Sequence, residues 1–265
     1  MTKTKIFQVD AFTDTLFSGN AAAVCILDKW LSDGLMQSIA NENNLAETAF
    51  VVPNNELFEI RWFTPTVEVD LCGHATLASA FILFNILNYS SVEIKFHSLR
   101  SGCLSVVKKD DILYLDFPTD ILESISELKD VSIEKCIGLK PLELYKGKTD
   151  YIAIIENEFL LQSLQPDLEE IAKLKARGLI VTAKGNTVDF VSRFFAPQSG
   201  INEDSVTGSA HTSLTPLWSK RLNKNMMLAN QLSIRGGQLL CELKNERCLI
   251  GGKARLYLTG EINLD

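Results

Sequence analysis

Short strand-like runs of β-branched, aromatic and aliphatic residues, broken by turn residues, dominate the hydrophobic pattern of this chain. In the first half, strands are predicted over Lys5 to Phe12, Ala22 to Leu27, Thr48 to Val52, Phe58 to Phe63, Val92 to His97, Gly102 to Lys108 and Ile112 to Phe117. A first helix begins near Ser32, whose hydroxyl can cap it, and carries Leu35, Met36, Ile39 and Ala40 on one face. A second, from His74 to about Asn88, is apolar on nearly every side, so it must be enclosed. Many short strands around such a helix imply a curved sheet or open barrel wrapped on a helical axis.

The second half repeats this plan. Strands are expected over Leu142 to Lys146, Tyr151 to Ile155, Leu179 to Thr182 and Val188 to Phe195, then a helix from about Ser209 to Leu222, then closing strands from Gln231 to Leu258. Pro216 lies inside that helix, where it should kink it or force a restart. The acidic stretch Asp120 to Lys140 reads as helix-prone, which sets the domain boundary at about Phe117 to Ile121. The expected fold class is therefore α+β, with two pseudo-symmetric domains, 1–118 and 119–265. The last residues are free to return and pack on the first domain.

An internal repeat supports two domains of one ancestry. Arg61-Trp62-Phe63-Thr64-Pro65 recurs as Arg193-Phe194-Phe195-Ala196-Pro197. Each copy is followed by a glycine that opens a helix, in Cys72-Gly73-His74-Ala75-Thr76 and in Thr207-Gly208-Ser209-Ala210-His211-Thr212. Arg193 stands 132 residues after Arg61, and Gly208 stands 135 after Gly73, about half the chain in both cases. An aromatic strand ending in proline is common by chance; its ordered pairing with the glycine segment is less so.

Composition narrows the partners. The 265 residues carry 33 acidic and 26 basic side chains, a net charge of −7, which argues against a nucleic-acid surface. The N-terminus lacks the pattern of a secretory signal, so a cytoplasmic location is expected. The longest apolar run, Ala75 to Leu87, is broken by Thr76, Ser79 and Asn85 and falls short of the roughly 20 residues of a membrane span. The six cysteines form no Cys-x-x-Cys pair and no spacing with histidine, which fits reduced thiols and speaks against zinc.

The glycines bear on chemistry. A glycine at the start of a buried helix lets a ligand approach unpaired backbone N–H groups where the helix dipole adds partial positive charge. The pair Gly73 and Gly208 thus predicts a small anionic ligand, such as a carboxylate, in a cleft between the domains. The plainer alternative is that both merely permit tight turns.

Glu47 is the most informative proton-carrying residue. Asn44 and Glu47 have capping-box spacing, but the residues after Glu47 form a strand-like run that stops at Pro53, leaving no helix to cap. Its apolar setting should raise the pKa of its carboxyl toward the range useful in acid/base catalysis. Cys72 and His74 flank Gly73. Residues two apart at a helix start tend to diverge, so direct contact is not expected, and His74 reads as a ligand donor, a second proton carrier or a structural histidine. Asp204 could assist the chemistry or only hold a turn through its side chain, and Ser209 could be an ordinary helix-start hydroxyl.

At these residues the chain resembles the PhzF-like family of phenazine-biosynthesis-type isomerases, relatives of diaminopimelate epimerase. The resemblance rests on Phe7 to Phe12, Phe17-Ser18-Gly19-Asn20, Leu45 to Phe50, Arg61 to Pro65, Asp70 to Thr76, Glu203 to His211 and Gly251-Gly252-Lys253-Ala254. It implies a diaminopimelate epimerase-like fold, two barrel-like, mostly antiparallel sheets each around a central helix, with no metal, no cofactor and often a homodimer. Glu47 matches a glutamate that shuttles a proton between carbon atoms of a small carboxylic acid. His74, Asp204, Gly73, Gly208 and Ser209 match positions that bind substrate or assist the transfer, and Asn20 and Cys72 are further substrate-binding candidates. The epimerase relatives use one cysteine from each half. Here Thr207 takes the second place, so a symmetric two-thiol mechanism is not expected, and Ser205 replaces the proline usual after the aspartate.

The resulting expectation is a cofactor-independent isomerase of a small carboxylate. The alternatives are a racemase using Cys72 with Glu47, or a binding protein that grips a carboxylate without turning it over.

Overall fold

The computed structural model describes residues 2–128 and 130–264. In chain order its elements begin β1 (Thr2–Ala11), β2 (Asn20–Ile26), α1 (Asp33–Asn43), β3 (Glu47–Asn54), β4 (Leu57–Phe63), β5 (Glu68–Val69) and α2 (Gly73–Phe81), continued by a π-helical turn at Ile82–Ile86. Then come β6 (Glu93–Ser98), β7 (Gly102–Lys109), β8 (Ile112–Pro118), β9 (Glu123–Ile125), α3 (Ile133–Ile137), β10 (Glu143–Lys146) and β11 (Asp150–Ile154). The chain continues with α4 (Glu158–Ser163), α5 (Leu168–Ala172), β12 (Gly178–Lys184), β13 (Phe190–Ala196), β14 (Ile201–Asp204) and α6 (Ala210–Leu222). It closes with β15 (Met226–Gln231), β16 (Gly237–Lys244), β17 (Arg247–Gly252) and β18 (Ala254–Leu264).

Two compact units result. Unit 1 holds the chain up to Asp116 and the segment from Gly251 onward; unit 2 is Phe117–Ile250. β18 joins unit 1 by running antiparallel along the whole of β1, from Thr2 opposite Leu264 to Ala11 opposite Ala254.

Both units follow one pairing pattern. In unit 1, β1/β2 is antiparallel, β2/β3 parallel, β3/β4 antiparallel, β4/β6 parallel and β6/β7 antiparallel. Unit 2 repeats that order in β10/β11, β11/β12, β12/β13, β13/β15 and β15/β16. A parallel pair needs a crossover, and helices supply it: α1 between β2 and β3, α4 and α5 between β11 and β12, α2 and α6 between the second parallel pairs. The outer helices bury one face only, with Met36, Ile39 and Ala40 of α1 set against Cys25, Phe50 and Phe63.

The central helices are enclosed. Every residue of α2 from His74 to Ala80 is buried. Its buried hydroxyls are satisfied within the helix, Thr76 donating to the Cys72 carbonyl (2.6 Å) and Ser79 to that of Ala75 (2.7 Å). Enclosure ends earlier than expected: beyond Phe81 the helix widens, Leu87 N–H bonding the Ile82 carbonyl, and Asn85 and Leu87 are exposed.

Pro216 does not force a restart, and α6 runs unbroken from Ala210 to Leu222. The Thr212 carbonyl, four residues earlier, has lost its usual intrahelical donor and accepts the Asp120 N–H instead (3.2 Å). The helix-prone reading of Asp120 to Lys140 also gives way. The segment forms β9, whose Ile125 pairs with Leu144 and packs into the unit 2 core, and only the single turn α3, ended by Gly138 at φ 72°. β3 runs through Pro53 rather than stopping there, with Pro53 opposite Phe58.

Candidate active site

Glu47 opens β3 and lies beside Ala22 of β2 in parallel register, while Asn20 opens β2 opposite Ala11. Asn20 is placed by a turn only glycine can make. Gly19 has φ +67°, and a Cβ there would overlap the Ala11 carbonyl. Asn44 is not a helix start but the left-handed end of α1, its N–H on the Ala40 carbonyl, so Glu47 caps nothing.

Cys72 is the N-cap residue of α2, extended at φ −140° and ψ 108°, and His74 is the second helical residue. The thiol and the ring meet, contrary to the expected divergence: Cys72 Sγ is 3.5 Å from His74 Nδ1 and 4.0 Å from Nε2. The helical period does not govern a cap residue, whose extended backbone lets its side chain turn over the first turn. Asn20 Nδ2 stands 3.2 Å from the same Nδ1. On the other side of the ring, Nε2 lies 3.2 Å from Glu47 Oε2, with both side chains largely buried (7% and 12% exposed). That oxygen is buried and accepts no hydrogen bond. Asn20, Glu47, Cys72 and His74 thus form one cluster in unit 1, around the start of α2 and the first residues of two parallel strands.

Burial opposes charge on His74, but Cys72 and Glu47 outweigh it and hold the imidazole well above its ordinary value. Burial, then the Glu47 charge, pushes the Cys72 thiol up to about 11.

In unit 2, Asp204 ends β14 and accepts the Thr207 hydroxyl at 2.6 Å. Gln231, buried at the end of β15, accepts the Thr207 N–H (2.8 Å) and donates to the Asp204 carbonyl (2.8 Å) and Thr207 Oγ1 (3.1 Å). The Thr207 hydroxyl is thereby occupied on both sides. Ser209, just ahead of α6, makes no cap bond and accepts from Arg177 Nη1 (2.9 Å); Arg177 is itself clamped by the buried carboxylate of Asp150 through Nε (2.9 Å) and Nη2. Gly73 is the first residue of α2, and Gly208 precedes Ser209 at the approach to α6.

Sequence reasoning missed Gln231, Arg177 and Asp150. Asp150 and Gln231 are each almost wholly buried, and a polar residue inside an apolar strand was the available signal.

Among the described residues no helix is long and apolar enough to cross a membrane. All six cysteines are free thiols.

A family profile described as phenazine biosynthesis-like protein matches residues 9–260. An uncharacterized isomerase of Pseudomonas aeruginosa is 49% identical over 257 residues, 97% of each chain. The crystal structure of a PhzF-family phenazine biosynthesis protein from Enterococcus faecalis superposes with a TM-score of 0.96 at 46% identity, covering 99% of this chain and 100% of that one. A probable proline racemase from Agrobacterium radiobacter shares the fold at 9% identity, with a TM-score of 0.62 over 99% of this chain and 93% of the other.

Proposed function

The chain belongs to the phenazine biosynthesis-like protein family and is an isomerase, and from that premise we propose that it moves a proton on a small carboxylic-acid metabolite with Glu47 as the shuttle. The observation that carries this reading is the buried Glu47 Oε2, which accepts no hydrogen bond although it stands 3.2 Å from His74. That oxygen is ion-paired with the ring but makes no hydrogen bond of good geometry, and a lone pair left open is what a base needs. Glu47 takes a proton from one carbon of the substrate and returns it to another, so composition is unchanged and no co-reactant is consumed. His74, held as imidazolium, offsets the charge that develops on the substrate while the proton is on Glu47. Asp204 assists, its carboxylate held by the Thr207 hydroxyl and its backbone carbonyl by the Gln231 amide. Substrate binding is assigned to Asn20, Cys72 and Gly73 at the start of α2 in unit 1, and to Gly208 and Ser209 just ahead of α6 in unit 2. This reading includes a cytoplasmic homodimer that needs no cofactor.

The racemase alternative, with Cys72 as a second base, is disfavoured by a thiol pKa of about 11. It is also disfavoured by a Thr207 hydroxyl already committed to Asp204.

Incubation of the protein with a panel of small carboxylic acids in deuterated water tests the proposal. Label enters a substrate of the wild-type enzyme, Glu47→Gln lowers the exchange rate by about 10²-fold or more, and Cys72→Ala largely spares it. Persistent exchange in Glu47→Gln overturns the assignment. Loss in Cys72→Ala transfers it to the racemase reading, and affinity without exchange makes the protein a carboxylate binder.

A further inference from the structure

Unit 2 holds a charged pair that its frame does not require. In β11/β12 the register places Asp150 beside Gly178, as Ala22 stands beside Glu47 in β2/β3. Leu179 pairs with Phe195 as Thr48 pairs with Phe63, so Gly178 is the counterpart of Glu47, Asp150 that of Ala22 and Arg177 that of Ala46. Unit 1 builds the same parallel pair with alanine at both places. Asp150 is 3% exposed, and burying a charge is costly even when it is paired. An ion pair where two alanines suffice implies a task other than holding the frame.

Arg177 is fixed from several directions. Its N–H bonds the Thr149 carbonyl (2.7 Å), its guanidinium lies over the Phe194 ring at 5.1 Å, and Nε and Nη2 fork onto Asp150. Thr149 Oγ1 donates to the same carboxylate (3.0 Å). Nη1 is thereby aimed at Ser209 Oγ, 2.9 Å away. Ser209 is held as well, its carbonyl accepting both the N–H (3.1 Å) and the hydroxyl (2.7 Å) of Thr212. A guanidinium has donors only, so Ser209 Oγ accepts, and the hydroxyl proton is turned away from Arg177. Ser209 makes no cap bond, and among the described residues nothing accepts that proton.

The repeat sets Gly208 against Gly73, so Ser209 stands where unit 1 has His74. In each unit a charged residue near the head of the second parallel strand touches the residue after that glycine: Glu47 meets His74 at 3.2 Å, and Arg177 meets Ser209 at 2.9 Å. The sign of the charge is reversed. Unit 1 presents a base, and unit 2 presents an open hydroxyl donor backed by a cation.

We propose that Arg177 is a positioning residue for substrate binding: locked by Asp150, it occupies the acceptor side of Ser209 Oγ and directs that hydroxyl to donate to a carboxylate oxygen of the substrate. The assignment rests on the isomerase reading, in which Ser209 binds substrate. Arg177 acts through Ser209, and the hydrogen bond it sets up to a carboxylate is of the strong, charge-assisted kind.

The probe is the panel acid that the wild-type protein labels in deuterated water, with exchange rates measured against its concentration. Ser209→Ala is expected to raise KM about tenfold and to leave kcat within about twofold, the signature of lost binding common to ground and transition states. Arg177→Lys keeps the charge beside Asp150 but cannot fork onto it and reach Ser209 together, so it raises KM by a similar factor. Arg177→Lys in the Ser209→Ala background adds nothing further, because a residue acting through Ser209 has no effect once the hydroxyl is gone. The double variant Asp150→Ala/Arg177→Ala, which gives unit 2 the residues that unit 1 uses, reports the same rise in KM should the lysine variant fail to fold. An unchanged KM in the Arg177 variants, a fall in kcat alone, or KM effects that multiply in the combined variant overturns the assignment and leaves the isomerase reading intact. No label in any acid with the wild-type protein overturns both.

Discussion

Units 1 and 2 carry the same scaffold device on the strand that leads toward the central helix. In unit 1, Arg61 forks onto Glu68 through Nε (2.7 Å) and Nη2 (2.9 Å) and lies over the Phe63 ring; in unit 2, Arg193 does the same to Glu203 (2.7 and 2.9 Å) over Phe195. A carbonyl at the approach to each helix is also covered by the side chain four residues on, Cys72 by the Thr76 hydroxyl and Thr207 by the His211 ring (2.9 Å). The units part at Glu47. Thr48 pairs with Phe63 and Leu179 with Phe195, so Glu47 stands where unit 2 has Gly178. A Cβ on Gly178 would lie 2.6 Å from Phe194 Cζ and 2.7 Å from the Phe195 carbonyl. Unit 2 has no room for a second carboxylate there, and the hydroxyl of Thr207 is bonded to Asp204. The two units share one frame, while the cluster of Asn20, Glu47, Cys72 and His74 is confined to unit 1.

The comparison breaks most readily at the arginines. Arg193→Ala strands Glu203 and removes the donor to the Leu161 (3.3 Å) and Leu164 (2.9 Å) carbonyls, an expected loss of about 3–4 kcal/mol in urea unfolding. Arg61→Ala, whose extra partner Asp33 is exposed, should cost about 1 kcal/mol less. Equal or reversed costs would show that the two forks are not one device.

The next effect depends on pH. Burial pushes His211 down to about 4, so the folded protein keeps the ring neutral with Nδ1–H on the Thr207 carbonyl. Between the ordinary histidine value of 6.5 and about 4 the unfolded chain binds a proton that the native state refuses. Stability contributed by the neutral ring is therefore complete above about 6.5, falls as pH drops to about 4, and changes little below, by about 3 kcal/mol in all. Replacing His211 by Gln should flatten that part of the stability profile. Thr76→Val, at the matching place in unit 1, should leave the slope intact. An unchanged slope in His211→Gln would place the titrating group elsewhere.

The smallest expected effect sharpens the asymmetry. Gly178→Ala forces Phe194 or the Phe195 carbonyl to move and should cost about 2 kcal/mol in thermal unfolding. A neutral outcome would mean that unit 2 could accept a side chain at this position, and the confinement of the carboxylate to unit 1 would lose its steric explanation.

Much of this was legible from residue order. Nearly every strand of unit 1 lies where its apolar run placed it, and Ser32 caps α1 as expected, Leu35 N–H to Oγ at 3.4 Å. The repeat of Arg61-Trp62-Phe63 in Arg193-Phe194-Phe195 marks the two units in the residue order alone. The contact of Cys72 with His74 was not legible, because it depends on an extended cap rather than on helical spacing. Gln231 was missed because its partners are 24 residues and more away.

By itself, then, the sequence determined the alternation of strands, the enclosure of α2, the repeated frame and the family, all of which rest on short-range periodicity and on motifs contiguous in the chain. Tertiary structure alone decided which groups meet. Glu47 comes beside His74 only because β2 and β3 run parallel ahead of α2, and Pro216 is tolerated only because Asp120 supplies a donor to Thr212. Those outcomes depend on packing between distant segments, where hydrogen-bond satisfaction and steric room, rather than local propensity, determine each side chain's role.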